Sequence, residues 1–174
     1  MTGEKNMELV DVTVYYLEML TLSQLDVPAP HNDLAVLHAR TPSVPYYRFL
    51  YEAVGQDYHW LSRSKLSDDN LATILNEPRN EVHVLYVHGS PAGFAELNCR
   101  KETDIELLQF GLMADFIGQG LGKWFLQWTI DKVWSRNPKR FWLHTCTLDH
   151  PAAVPNYRKA GFVQYREENI RRKL

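Results

Sequence analysis

Residues 116–125 read Phe-Ile-Gly-Gln-Gly-Leu-Gly-Lys-Trp-Phe, with glycines at 118, 120 and 122 and a lysine at 123 leading into an apolar, helix-like run. Glycine loses more backbone freedom on folding than any other residue, so a cluster marks a place where something approaches the main chain closely. The first turn of a helix carries unpaired N–H groups and a partial positive charge. Residues without side chains let a phosphate reach those donors, so a phosphate-bearing ligand is the leading reading. Lys123 adds a small argument, because a cation in the first turn opposes the helix dipole by roughly a few tenths of a kcal/mol unless an anion offsets it. The spacing alone leaves an alternative open, in which the glycines allow tight strand-to-helix packing and Lys123 points into water.

The motif narrows the ligand by what it lacks. A Walker loop needs four residues between its first glycine and a Gly-Lys-Ser/Thr, whereas three separate Gly118 from Gly122, and Trp124 follows Lys123. A dinucleotide fingerprint needs its third glycine one residue later and an early place in a βαβ unit. Nucleoside triphosphate hydrolysis and NAD binding are therefore disfavoured. No G-x-S-x-G or H-E-x-x-H is present, so a serine hydrolase or zincin has no motif support.

Composition sets the outer bounds. The 174 residues, 45% hydrophobic, suffice for one domain with a core, and residues 1–174 are read as a single domain. With a net charge of -2 and no long basic run, the electrostatic footprint of a nucleic-acid binder is missing, and Arg171-Arg172-Lys173 reads as a solvated tail. Cys99 and Cys146 are too few for a disulfide framework or thiolate metal site, and the seven histidines show no tight ligand spacing, so no metal is expected. No signal peptide is evident, and no apolar run reaches the roughly 20 residues that span a bilayer. A cytoplasmic protein with no membrane partner is expected.

These residues must be positioned by regular elements. Met7–Leu20 is rich in β-branched and aromatic residues; its first part reads as a strand and its end could begin a helix. From Asn32 to Leu75, apolar residues recur at three- and four-residue spacings, broken by Pro42 and Pro45, which predicts at least two helices with a bend. Ser67–Asn70 reads as a cap for a helix over 71–76. Val82–Val87 and Ala92–Asn98 form a hairpin around His88-Gly89-Ser90-Pro91. Ile105–Met113 is the strand before the glycines, with Gly111 hinting at a bulge or close packing. A helix over 121–135 stops at Asn137-Pro138, and a strand over 140–148, a short helix over 152–159 and a strand starting at Gly161 complete the chain.

That order of elements, with the two local motifs, resembles the GNAT superfamily of acyl-CoA-dependent N-acetyltransferases over nearly the whole chain. The family's cofactor motif, Arg/Gln-x-x-Gly-x-Gly/Ala, stands here as Ile117-Gly118-Gln119-Gly120-Leu121-Gly122, with Ile117 in place of Arg or Gln. The family's tyrosine helix ending in Gly-Phe is matched by Asn156-Tyr157-Arg158-Lys159-Ala160-Gly161-Phe162, and His150, next to Asp149, falls where the family often has Asn. The resemblance implies an α/β (α+β) fold with a central mixed, mostly antiparallel sheet of about six or seven strands flanked by helices. It implies a splay between strands 105–113 and 140–148, where the pantetheine arm of acetyl-CoA would lie.

The implied cofactor residues are Leu112 and Met113, through their backbone, and Gly118, Gln119, Gly120, Leu121, Gly122, Lys123 and His150. The implied reaction is direct attack of an amine on the thioester, which needs a neutral amine, a polarised carbonyl and a protonated leaving thiolate. Glu106 matches the position of a catalytic glutamate in several relatives, and Ile105, Leu107 and Leu108 would raise its pKa if it is buried. A solvated or lysine-paired Glu106 is the alternative. Tyr157 is the implied acid, since a phenol of pKa about 10 can protonate a thiolate whose acid form lies at about 8.5; an aromatic packed under the helix is the alternative. His144 offers another base, and with Cys146 a less favoured covalent route.

Tyr46–Trp60 is unusually aromatic, and the early helices of the family wall the acceptor site. Tyr58 and Trp60 could hold an aliphatic amine or an ammonium, or simply fill the core. The resemblance therefore implies an N-acetyltransferase acting on a primary amine of a small molecule or peptide, with a homodimer as a possible assembly. The alternative is a non-catalytic acyl-CoA-binding module.

Overall fold

The computed structural model describes residues 9–23 and 25–174; Met7 and Glu8 of the expected first strand lie outside them. β-branched and aromatic side chains fit a pleated surface better than a helix. All of Leu9–Met19 is accordingly strand β1, including the end that also suited a helix. It bonds on one side to β6 (Arg140–Cys146) and on the other to β7 (Val163–Lys173).

The helix expected from Asn32 is absent at its start: Leu34–Ala39 is strand β2, antiparallel to β3 (Asn80–Val87). Leu34 and Val36 pack inward while Leu37 is exposed, the period-2 pattern of a half-buried edge strand. The apparent helical spacing came from counting across Pro42 into the real helix. That helix, α1 (Val44–Gly55), begins at Ser43, whose Oγ accepts from the Tyr46 N–H. Helix α2 (Asp68–Leu75) is capped in the same way by Ser67, and its first residue, Asp68, lies three residues before the expected start.

Strands β3, β4 (Ser90–Lys101) and β5 (Asp104–Leu112) form an antiparallel meander, followed by α3 (Leu121–Trp134), β6, α4 (Ala153–Lys159) and β7. The seven-stranded sheet runs β2-β3-β4-β5-β6-β1-β7, and only its β5–β6 contact is parallel. This is the expected mixed, mostly antiparallel α/β architecture. Neighbouring residues of β3 point to opposite faces and enter different cores. Leu85 and Val87 join Phe125, Ile130 and Phe141 beside α3, whereas Val82 and Val84 join Tyr47, Leu50 and Leu71 beneath α1 and α2.

Three local features create the site. Strands β5 and β6 pair only from Asp104↔Arg140 to Leu107↔Leu143, then part. Leu108 is an extra residue in β5, since Leu97 faces Leu107 while Glu96 faces Gln109, and a bulge bends its strand where the pairing ends. Gly111 marks close packing rather than the bulge, because a Cβ there would lie 2.4 Å from Val54 Cγ1 of α1.

The closing Arg171-Arg172-Lys173 is not a solvated tail. It ends β7, opposite Asp11, Val10 and Leu9 of β1. An edge strand rich in charge has the composition of a solvated segment, so its order comes from the partner strand.

Candidate active site

Where β5 and β6 part, a cavity of about 870 Å³ opens between them. Leu107–Leu112 form one wall and Leu143–Cys146 the other; Tyr58, His59 and Trp60 close one side, and Gly118, Gly120, Gly122 and Lys123 edge it at the start of α3. Gly118 and Gly120 have φ of 84° and 79°, a region that costs an L side chain roughly 1–2 kcal/mol. Gly120 is the N-cap of α3 and offers no side chain, so the first-turn N–H groups are left for another acceptor. A Cβ on Gly118 would meet nothing within 4 Å, so packing does not explain that glycine.

The expected cofactor residues divide. Leu112, Gly118, Gly120, Gly122, Lys123 and His150 line the cavity. Met113 does not; its N–H donates to Ala92 O at 2.8 Å and its side chain joins the core under α1. The Gln119 side chain folds back, Nε2 donating to Asp115 O at 2.9 Å, and Leu121 is fully buried, so only their main chains face the turn. His150 Nδ1 accepts from the Ala152 N–H at 3.1 Å, and its ring meets the Tyr58 ring edge-on at 5.9 Å. Trp60 both packs on Tyr51 and lines the cavity.

A sequence profile of the acetyltransferase (GNAT) family matches residues 34–162. The chain belongs to the GNAT acetyltransferase family. Solved GNAT structures share its fold. The ribosomal-protein-S18-alanine N-acetyltransferase of Escherichia coli is 22% identical over 76% of this chain and 79% of that one, with a TM-score of 0.61. An aminoglycoside acetyltransferase from an uncultured soil metagenomic sample, in complex with trehalose, is 16% identical over 75% and 88%, with a TM-score of 0.61. A functionally unknown conserved protein of Staphylococcus epidermidis is 18% identical over 94% of this chain, which spans 61% of that protein's length, with a TM-score of 0.58. At these identities the likeness concerns the fold alone. No curated protein sequence matches.

Within this GNAT cavity the titratable groups are arranged in depth. Half of the His144 side chain is open, and its Nε2 lies 3.9 Å from Glu106 Oε1, just beyond direct hydrogen-bond distance. Glu106 is 14% exposed and sits behind His144 rather than in the lining. Desolvation raises its pKa against the opposing hydrogen bond of Asn98. Desolvation lowers the pKa of His144, with Arg172 acting in the same direction and Asp149 against it, so the imidazole tends to be neutral. Tyr157 is buried, and burial together with the charge of Asp149 pushes its phenol upward, so it stays protonated. Burial likewise raises Cys146, keeping it a thiol and a poor nucleophile.

Asp149 is the site residue least visible in the sequence. Its Oδ2 accepts from Thr145 Oγ1 at 2.6 Å and from the Cys146 N–H at 2.9 Å, and its Oδ1 accepts from Trp60 Nε1 at 3.1 Å. It thus ties the aromatic wall to the end of β6. Lys65, Arg172 and Lys173 also line the cavity, and no local motif announced them. Below the aromatic wall, buried Glu96 accepts from Tyr47 Oη, from Arg63 Nη2 at 2.6 Å and from Asn80 Nδ2 at 3.1 Å, which anchors the loop carrying Trp60.

On the other face, register brings together histidines that are far apart in sequence. His38 stands opposite His83, and with Glu81 they form the one group of donors among the described residues close enough for a metal. Glu81 Oε2 is already bonded to His83 Nε2 at 2.9 Å and to Arg136 Nη2 at 2.8 Å, so the cluster reads as a closed ion network.

Proposed function

We propose that this GNAT protein transfers an acetyl group from acetyl-CoA to a primary amine of a small molecule or peptide by direct attack. One observation carries the reading: the cavity that opens where β5 and β6 part is edged by Gly118, Gly120, Gly122 and Lys123, where α3 begins with no side-chain cap on its first-turn amides. The gap, the glycine cradle and Lys123 fit the pantetheine and diphosphate of a coenzyme A. Bound acetyl-CoA supplies the activated acyl group as a thioester.

The chain's own residues do the rest. His144 accepts the amine's proton, directly or through water, with Glu106 behind it to orient the ring and offset its charge. A lowered pKa keeps His144 in the accepting form near neutrality. Tyr157 donates a hydrogen bond to the departing sulfur. Its raised pKa makes complete proton transfer to a thiolate uphill, so it stabilises the leaving group and solvent completes the protonation. Trp60 and Tyr58 keep bulk water from one side of the site.

Free-thiol release from acetyl-CoA, followed across a panel of amines, tests this. The expected result is amine-dependent release that drops by roughly 10²-fold in His144→Gln, with coenzyme A binding retained. Ile117 in place of the family's Arg or Gln favours a second reading, a non-catalytic acyl-CoA-binding module. Coenzyme A binding without release for any amine would select it.

A further inference from the structure

The lining of the cavity holds more positive charge than its carboxylate can balance. Arg172 is partly buried there, and Lys65 and Lys173 stand exposed at its rim. None of the three has an ion-pair partner among the described residues. Among the described residues the Arg172 side chain makes one polar contact, from Nη1 to Cys146 Sγ at 3.7 Å, and sulfur is a weak acceptor for a group with five donors. Asp149 is the only carboxylate in the lining among the described residues, and hydrogen bonds from Trp60, Thr145 and the Cys146 main chain engage both its oxygens.

A partly desolvated guanidinium without a counter-ion is costly, and an anion from outside offsets that cost. The position of Arg172 makes the anion part of the acceptor. It contacts Cys146, two residues beyond His144 on the same face of β6. An anion at Arg172 would therefore sit a few ångströms past the group placed to take the amine's proton.

We propose that the acceptor is a small primary amine that also carries an anionic group, a carboxylate or phosphate, held by Arg172 with Lys65 and Lys173 at the rim. The inference rests on the transfer reading above. It has a kinetic corollary: the same cations disfavour a second positive charge, so they favour the neutral, reactive form of the amine and reject polyamines.

Calorimetric titration in the presence of coenzyme A tests it with matched pairs. One arm compares α-amino acids with their carboxamides, and the other compares aminoalkyl phosphates with the parent amino alcohols; the better arm identifies the anion. The anionic member of a pair should bind at least about tenfold more tightly. Arg172→Gln should bring that ratio close to one, while Arg172→Lys retains part of it. Should Arg172→Gln fail to fold, the Lys65→Gln, Lys173→Gln double variant is expected to lower the ratio as well.

Equal or tighter binding of uncharged or polycationic amines overturns the inference. So does a ratio indifferent to these variants, or no binding by any anionic amine. Anionic amines that bind without thiol release would instead sink the transfer reading and leave only the anion-binding role of Arg172 standing.

Discussion

Gly118 and Gly89 make a matched pair. Their φ values are 84° and 80°, and a Cβ on either would have no neighbour within 4 Å. Replacing either with alanine therefore costs only left-handed strain, roughly 1–2 kcal/mol. At roughly 2–4 °C per kcal/mol for a chain of this size, each variant should lose about 2–8 °C in Tm. The two differ in location, since Gly118 borders the cavity and Gly89 turns the β3–β4 hairpin. A phosphate oxygen must come to about 2.9 Å from an amide nitrogen, while a methyl carbon holds a neighbour about 3.5 Å away. Gly118→Ala should accordingly weaken coenzyme A binding at least about tenfold, or ~1.4 kcal/mol, and Gly89→Ala should leave it within about twofold. Scanning fluorimetry checks the folding cost and calorimetry the affinity. Equal affinities in two equally destabilised variants would refute the reasoning, because Gly118 would then serve only its turn.

Other expectations follow from the ion networks. Glu96→Ala strips Arg63 of a buried partner and should lower stability by roughly 3–5 kcal/mol in urea unfolding; a loss under about 1 kcal/mol would contradict the anchoring role. Glu81 is held at about 2, because the bonds from His83 and Arg136 outweigh the opposing effect of its burial. A depressed carboxyl stabilises the fold fully above its ordinary 4.5 and loses that contribution as pH falls toward 2, an effect of about 2 kcal/mol after allowing for partial solvation. Glu81→Gln should thus flatten the acid limb of the urea midpoint below pH about 5, and an unchanged limb would count against the network. The kcat/KM profile should fall on the acid side with a midpoint below about 6.5, and His144→Gln should remove that limb. Persistence of the limb in that variant and its loss in Glu106→Gln would reassign the base.

Local chemistry explains which parts of this protein were legible in its sequence. The Gly118–Lys123 turn, the Ser67 cap, the Asn137-Pro138 stop and the hairpin at Gly89 are each set by residues a few positions apart, and each fell where expected. The missed features are set by pairing across the sheet. Strand β2 reads as helix in the sequence because six residues beside a proline carry too little period to outweigh the helix beyond. Arg172 looked like tail until β1 ordered its backbone, and His38 met His83 only through register. Asp149 matters because Trp60, 89 residues away, donates to it. The Met113 N–H is engaged by Ala92 of the neighbouring strand, a pairing invisible in the local sequence.

The main-chain cradle can be observed directly, residue by residue, by titrating coenzyme A into ¹⁵N-labelled protein and following the amide resonances. Saturable shifts are expected, concentrated at Leu112 and Gly118–Lys123, with Gly89 unmoved. Shifts confined to other surfaces, or none with the ligand in excess, would contradict it.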